Sequence, residues 1–282
     1  MKISELLRHG ESVLSKAGKE SAKQDAVVLL SFLMNVNRAK LFLKHNDEAP
    51  EILIQKYEKL IKERASGTPI QRITGMTEFM GLPFKMSPEV LIPRSETELL
   101  VEEALKLLKS GDKVLELCTG SGCIALSLFK LHENVTITAT DISEKAVYLA
   151  KENARDLRIP LGKEKGKINF LIGNLFEPVK GTYDLVVVNP PYVKSGDIKD
   201  LMEEVKDHDP RLALDGGEDG LFFYRKVLKE AHDYMNEGAH LIMEIGEEQA
   251  KDIISIAGDA YELIELKQDY SHKDRILIFL KK

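Results

Sequence analysis

The stretch Asp184–Ser195, DLVVVNPPYVKS, sets an asparagine, two prolines and a tyrosine directly behind a buried-strand pattern. Prolines end a strand because they carry no N–H for the ladder. They do not account for the residues on either side. The side-chain carbonyl of Asn189 and the backbone carbonyl of Pro190 are two hydrogen-bond acceptors, and the fixed φ of proline helps to hold the direction of the second. Tyr192 adds a flat face, and Pro191 stiffens the turn between them. This set suits a planar NH2 group, whose delocalised lone pair attacks poorly unless charge building on nitrogen is favoured. Upstream, LELCTGSGCIA places Gly120 and Gly122, with Ala125 third, in a G-x-G-x-x-G/A pattern between a strand and a helix. Glycines there let the backbone turn sharply and approach a ligand closely. Asp141 ends the next strand, where an acidic side chain can take both hydroxyls of a ribose. The loop therefore reads as a nucleoside site, open to NAD or to S-adenosylmethionine. Hydride transfer also needs a poised acid, and none of the seven histidines lies in a recognisable catalytic setting. The planar-nitrogen clamp favours the sulfonium cofactor.

Such a site needs parallel strands to bring its loops to one rim. From residue 95 the chain supplies them: KVLEL (113–117), TITATD (136–141), INFLIG (168–173), YDLVVVN (183–189) and HLIMEI (240–245) read as strands, with helical stripes among them. YELIELKQD and RILIFLKK follow with a short polar connection and predict an antiparallel pair at one edge. Before residue 67 the pattern is helical. Ile3, Leu6, Leu7, Val13 and Leu14 form one stripe, Ala22, Ala26, Leu29, Leu30 and Leu33 a second, and Leu53, Tyr57, Leu60 and Ile61 a third. Between the two regions, ASGTPIQRITG breaks the pattern, and β-prone pieces at Ile70–Ile73, Glu78–Phe79 and Val90–Ile92 suggest a hairpin linker. The expected fold is α/β: a doubly wound, mostly parallel seven-stranded sheet with a small N-terminal helical bundle. Its domains are 1–66 (helical, substrate-docking), 67–94 (hairpin linker) and 95–282 (cofactor-binding).

Hydrophobic content of 43% is enough for a real core, and the net charge of −6 gives no global basic field for nucleic acid. No apolar run approaches the length of a membrane span, and the start lacks the apolar stretch of a secretory signal. Cys118 and Cys123 are poorly spaced for zinc and suit a reducing cytosol as small pocket-wall residues. No metal site and no membrane or direct nucleic-acid partner is expected.

ELCTGSG, TATDIS, GNLFEP and VVVNPPY, in that order, resemble the amino-methyltransferases that use S-adenosylmethionine. GTPIQRITG, EVLIPRSETELL and HDPRLALDGGEDGL further resemble the protein-(glutamine-N5) methyltransferases, and most closely the PrmC/HemK family. That family methylates the glutamine of the Gly-Gly-Gln tripeptide in peptide chain release factors. The resemblance is close over 67–246 and loose over the helical front. It implies that Cys118, Thr119, Gly120, Ser121, Gly122, Asp141, Ile142, Asn174, Leu175 and Asn189 line the cofactor pocket, with Glu116 reaching the methionine ammonium. It assigns substrate binding to Asn189, Pro190, Pro191 and Tyr192, with catalysis resting on Asn189, Pro190 and Tyr192. The product would be S-adenosylhomocysteine, the partner a release factor and the compartment the cytoplasm. Ser95, Arg72 and Asn174 stand where the family usually has proline, an aromatic residue and aspartate. Ser95 and Glu98 have capping-box spacing for the following helix. A ribosomal-protein glutamine methyltransferase, a DNA adenine-N6 methyltransferase and a non-catalytic module on the same fold remain the alternatives. A DNA enzyme would normally carry a basic groove and a target-reading domain.

Overall fold

The computed structural model describes residues 1–132 and 134–282. In chain order, α1 (Ile3–Lys16), α2 (Ala22–Met34), α3 (Arg38–Leu43), α4 (Glu51–Ala65) and α5 (Ile70–Thr74) precede a hairpin of β1 (Met76–Phe79) and β2 (Leu82–Lys85). Then come α6 (Ser95–Leu107), β3 (Lys113–Leu117), α7 (Cys123–Leu131), β4 (Thr136–Asp141), α8 (Glu144–Asp156), β5 (Ile168–Ile172) and β6 (Tyr183–Val188). The chain closes with α9 (Glu203–Lys206), α10 (Phe222–Tyr234), β7 (Met235–Glu244), α11 (Ala250–Ala257), β8 (Tyr261–Gln268) and β9 (Asp274–Lys281).

Two compact units result, Met1–Met76 with Met202–His208, and Thr77–Leu201 with Asp209–Lys282. In the first, the three apolar stripes bury one another around Leu6, Leu14, Leu29, Leu30 and Tyr57. The Tyr57 hydroxyl donates to the Ala26 carbonyl, so its polar end is satisfied inside the bundle. Residues 70–73 are helical rather than β-prone. Pro69 at the N-cap and Gly75, left-handed at φ 67°, bound that short helix and override the β-branched Ile70 and Ile73. Segment 202–208 belongs to this unit through charge: Arg64 Nη1 lies 2.7 Å from Glu204 Oε1, and Arg64 Nε lies 2.6 Å from Asp25 Oδ2.

In the second unit the strand order is β5-β4-β3-β6-β7-β9-β8. The first five strands of that row run parallel, while β9 is antiparallel to both β7 and β8. This is the expected seven-stranded, mostly parallel sheet with an antiparallel edge. Alternate residues of each central strand feed two apolar layers, as a sheet covered on both faces requires. One layer holds Leu100, Val114, Ile124 and Val187 with α6, α7 and α8, the other Leu115, Val186, Tyr224 and Ile253 with α10 and α11. The chain winds from β3 outward through β4 and β5, then returns to lay β6 on the opposite flank of β3. That reversal opens a crevice beyond the carboxyl ends of β3 and β6. Among the described residues no helix is long and apolar enough to cross a membrane.

Two further local expectations do not hold. Residues 90–92 form no strand, and Ile92 instead donates its N–H to the Asp209 carboxylate. Ser95 caps nothing: Arg94 is the N-cap residue, the Ser95 hydroxyl meets Glu96, and Glu98 accepts the Met80 N–H at 2.6 Å.

The Arg64 and Asp25 side chains are only 10% and 9% exposed. Removing one partner of a buried ion pair leaves an uncompensated charge, so Arg64→Ala should lower unfolding stability by about 3–5 kcal/mol. Urea denaturation checks this. A loss of less than about 1 kcal/mol would class the pair with exposed surface bridges.

Candidate active site

Sheet register sets the geometry of the rim. Leu117 pairs with Thr140 and with Val188, and Val188 pairs with Met243. The next residue on each strand therefore stands in one row: Asp141, Cys118, Asn189, Glu244. Three of these four were candidates from the sequence, and Glu244 was not.

The glycine loop leaves β3 through Cys118, a non-glycine residue at φ 60°. Left-handed backbone outside glycine is uncommon and concentrates at functional sites. The Thr119 N–H then donates to the Thr140 carbonyl, and the Gly122 N–H to the Thr119 carbonyl, closing the turn. Gly122 caps α7 at φ 80°, where a Cβ would lie 2.9 Å from Ala150 Cβ. Helix and loop can approach α8 this closely only without a side chain. Gly120 has open space where its Cβ would be. Thr119 and Ser121 are buried, and the Thr119 hydroxyl donates to Glu116 Oε2 at 2.6 Å.

Asp141 serves the loop as well as facing the crevice. Its two carboxylate oxygens accept the N–H groups of Gly120 at 2.8 Å and Ser143 at 2.9 Å. Burial raises its pKa against those two hydrogen bonds. Each oxygen retains a lone pair for a ligand hydroxyl. Ile142, beside it, is 54% exposed and offers an apolar face. Asn174 and Leu175 follow β5. Leu175 is buried at φ 50°, and the Thr140 hydroxyl donates to its carbonyl at 3.0 Å. The Asn174 N–H donates to Glu177. Strand β4 thus holds both flanking loops, one through the Thr140 carbonyl and one through its hydroxyl.

Glu116 is fully buried near the end of β3, and its Oε1 has no hydrogen-bond partner among the described residues. Burial pushes its pKa up to about 8, against the pull of Thr119 and the Ala125 N–H. An orphaned buried carboxylate oxygen beside a glycine loop fits a ligand that brings a positive charge or an N–H. Burial also raises the Cys118 thiol pKa and pushes that of Cys123 up to about 12, so neither is a thiolate near neutral pH.

Asn189 and Tyr192 project from the turn after β6, while Pro190 and Pro191 are buried within it. The Asn189 amide nitrogen donates to the Thr97 hydroxyl at 3.3 Å, which leaves its carbonyl oxygen free to accept. The Tyr192 hydroxyl points to Glu244 Oε1 at 3.4 Å, a long contact. Burial raises the Tyr192 pKa, and the neighbouring Glu244 raises it further.

Residues 209–221 and Gln249 hold this turn from outside, a role sequence reasoning missed. The Val193 N–H donates to the Leu214 carbonyl and the Gly216 N–H returns to the Val193 carbonyl. A Cβ on Gly216 would lie 2.7 Å from Tyr192 Cα, so only glycine permits the approach. Gln249 Nε2 donates to the Tyr192 carbonyl at 3.0 Å. Arg94 and Asp209 form an ion pair at 2.5 Å that ties the IPR and DPR stretches together. Tyr192, Lys194, Leu221, Gln249 and Arg275 also line a cleft of about 970 Å³. An acidic residue inside the apolar run HLIMEI was the one sequence signal pointing to Glu244.

Glu116 and Glu244 both have folded-state pKa values above the ordinary 4.5, at about 8 and about 7. Folding therefore favours their protonated forms. The stability they contribute is present below about pH 4.5 and is lost as pH rises through about 7 and 8. Glu116→Gln should accordingly be less destabilised than the parent protein between those limits, with no cofactor present. Calorimetric Tm values across that pH range test it. Parallel Tm–pH curves for the two proteins would exclude Glu116 as a titrating group.

Comparison with known proteins shows the family of the chain. Residues 5–75 match the family described as PrmC N-terminal domain, and residues 95–249 match the methyltransferase small domain. A release factor glutamine methyltransferase of Clostridium acetobutylicum is 34% identical, the match covering 100% of this chain and 99% of the relative. One of Thermodesulfovibrio yellowstonii is 38% identical over 92% of each chain. Among solved structures, a methyltransferase from Pyrococcus furiosus superposes with a TM-score of 0.55 at 22% identity, covering 71% of this chain and 89% of that one. That likeness speaks for the fold of the sheet unit. Identity of this level along the whole chain, with both domains matched in order, means that the chain belongs to the family of release factor glutamine methyltransferases.

Proposed function

We propose that this protein transfers a methyl group from S-adenosylmethionine to the side-chain amide nitrogen, N5, of the glutamine in the Gly-Gly-Gln motif of a peptide chain release factor. The observation that carries the reading is the register of β3 against β6, with Leu117 paired to Val188. It brings the glycine loop and the Asn189 amide out at adjacent points of one rim. Family membership agrees with it.

The cofactor supplies an electrophilic sulfonium methyl and leaves as S-adenosylhomocysteine. On this reading Glu116 and the backbone of Cys118–Gly122 take its amino-acid end, Asp141 its ribose, and Ile142, Asn174 and Leu175 its base. The Asn189 carbonyl and the Pro190 carbonyl accept the two N–H groups of the substrate amide. Held so, the nitrogen faces its reaction partner while positive charge building on it meets two oxygens. Tyr192 packs on the amide plane, and the cleft beside it gives room for the polypeptide that flanks the glutamine. The helical unit, residues 1–66 and their extension, docks the protein substrate, since one glutamine side chain offers too little surface for selection. No metal is required by this scheme.

The deciding experiment offers release factor and ribosomal protein separately with labelled cofactor and maps the modified residue by mass spectrometry. Label on the Gly-Gly-Gln glutamine is the expected result; label only on ribosomal protein would overturn the substrate assignment. Asn189→Ala removes one acceptor at the nitrogen and should reduce kcat about a hundred- to a thousandfold, or ~2.7–4 kcal/mol. Asn189→Asp keeps an acceptor oxygen of the same shape and should retain more activity. A folded Asn189→Ala protein with normal kcat rules out the clamp. Asp141→Ala should weaken cofactor binding by about 1.5–3 kcal/mol, the range for a hydrogen bond to a charged group. Unchanged affinity by titration calorimetry would remove Asp141 from the site.

A further inference from the structure

Besides Asp141 and Thr140, the glycine loop has a further support, and it comes from α8. Asn153 on that helix is only 1% exposed, and its side-chain amide meets three backbone groups from two other segments. Its Oδ1 accepts the Lys85 N–H at 2.8 Å. Its Nδ2 donates to the Ser121 carbonyl at 2.9 Å and to the Lys85 carbonyl at 3.2 Å. Both amide hydrogens and one oxygen lone pair are thereby used. The flipped amide would set its oxygen against two carbonyl oxygens and its NH2 against an N–H. Only one orientation satisfies all three groups.

Each end of this contact belongs to a segment that needs support. In the loop, the Ser121 carbonyl goes to Asn153, and the N–H of the same peptide, that of Gly122, goes to the Thr119 carbonyl. That peptide plane is held on both sides. Ala150 lies three residues before Asn153, on the same face of α8, and its Cβ is the atom that a Cβ on Gly122 would meet at 2.9 Å. A missing side chain and a buried amide thus join loop and helix at one place. At the other end, Lys85 is the last residue of the β1–β2 hairpin, and a two-stranded hairpin is marginal by itself. Phe79 and Phe84 anchor it in the core, and Glu98 accepts the Met80 N–H at its turn. Asn153 takes both backbone groups of Lys85, as a neighbouring strand would.

We propose that Asn153 is a positioning residue of the cofactor pocket, its one amide locking the glycine loop to the hairpin so that the two are ordered together when the cofactor binds. Asn153 acts through the backbone of Ser121 and Lys85. The inference rests on the proposed placing of S-adenosylmethionine at Cys118–Gly122 and is separable from it by experiment.

Titration calorimetry with S-adenosylhomocysteine, and amide hydrogen exchange with and without it, test the lock. Asn153→Asp keeps the shape and the acceptor for Lys85 but loses both donors. It should weaken binding about tenfold, the equivalent of one lost hydrogen bond. Asn153→Ala should weaken it by a similar factor. Lys85→Ala removes the ion pair with Asp156 and leaves the backbone contacts, so its affinity should stay at the parent value. In the parent protein, which needs no variant to fold, the ligand should slow exchange at the Lys85 N–H of the hairpin together with the Gly122 N–H of the loop. Parent affinity in a folded Asn153→Asp protein, or a Lys85 exchange rate unchanged by the ligand, overturns the inference and leaves the cofactor site standing. An equal loss of affinity in Lys85→Ala and Asn153→Asp also overturns it, since packing of the hairpin on α8 would then be the cause. A parent protein that binds no S-adenosylhomocysteine overturns the cofactor reading and the inference with it.

Discussion

A carboxylate taken out of water at the end of a parallel strand must find compensation, and the rim of this sheet is arranged around that requirement. Glu116 in β3 and Glu244 at the end of β7 are both buried, and each has one oxygen without a hydrogen-bond partner among the described residues. An unpaired buried charge costs several kcal/mol, so such groups persist where a partner arrives with a ligand or where a network uses them. Thr119 answers Glu116 on one side of the crevice. Tyr192 approaches Glu244 on the other, its hydroxyl 3.4 Å from Oε1. The crevice between β3 and β6 is therefore flanked by two groups whose protonation depends on what occupies it.

Backbone accounts for most of the remaining architecture. The Asp141 side chain holds the Gly120 and Ser143 N–H groups, and Thr140 holds Thr119 and Leu175. Loops that would otherwise move are tied to strand β4, itself paired on both edges. The turn after β6 is held in the same manner by residues 209–221 and Gln249. Rigid support of this kind suits a site whose work is placement, since a nitrogen that attacks poorly gains most from being held at the correct distance.

The sheet and its loops were legible in the sequence because each strand is a short apolar run with a chemically distinctive residue after it. Gly120, Asp141 and Asn189 could be set on one rim before any register was known, since parallel strands share their carboxyl ends. What was not legible depended on distant partners. Tyr192 and Glu244 lie far apart in the chain and meet only because β7 lies beside β6. The Ser95–Glu98 spacing reads as a capping box, yet Glu98 is engaged by the Met80 N–H, and a local rule lost to a tertiary contact. Residues 70–74 show the opposite case. There the β-branched Ile70 and Ile73 read as strand, while Pro69 and Gly75, the local signals that bound a helix, prevail in the structure. Segment 202–208 joins the helical unit through Arg64 and Lys19, a pairing that no spacing along the chain reveals.

The chemistry of the clamp, as proposed, also explains why its acceptors are neutral. A carboxylate at position 189 would attract cations, so a lysine ammonium would compete with an amide for the site. Two carbonyl oxygens carry only partial charge. They bind an amide NH2 well, and they bind an ammonium poorly because they cannot repay its desolvation. Two acids stand near the rim, Glu244 in the row of Asn189 and Glu116 on the glycine-loop side, and burial raises the pKa of both, which favours their neutral forms. On the proposed reading, Asn189 in that place makes the site selective for an uncharged planar nitrogen.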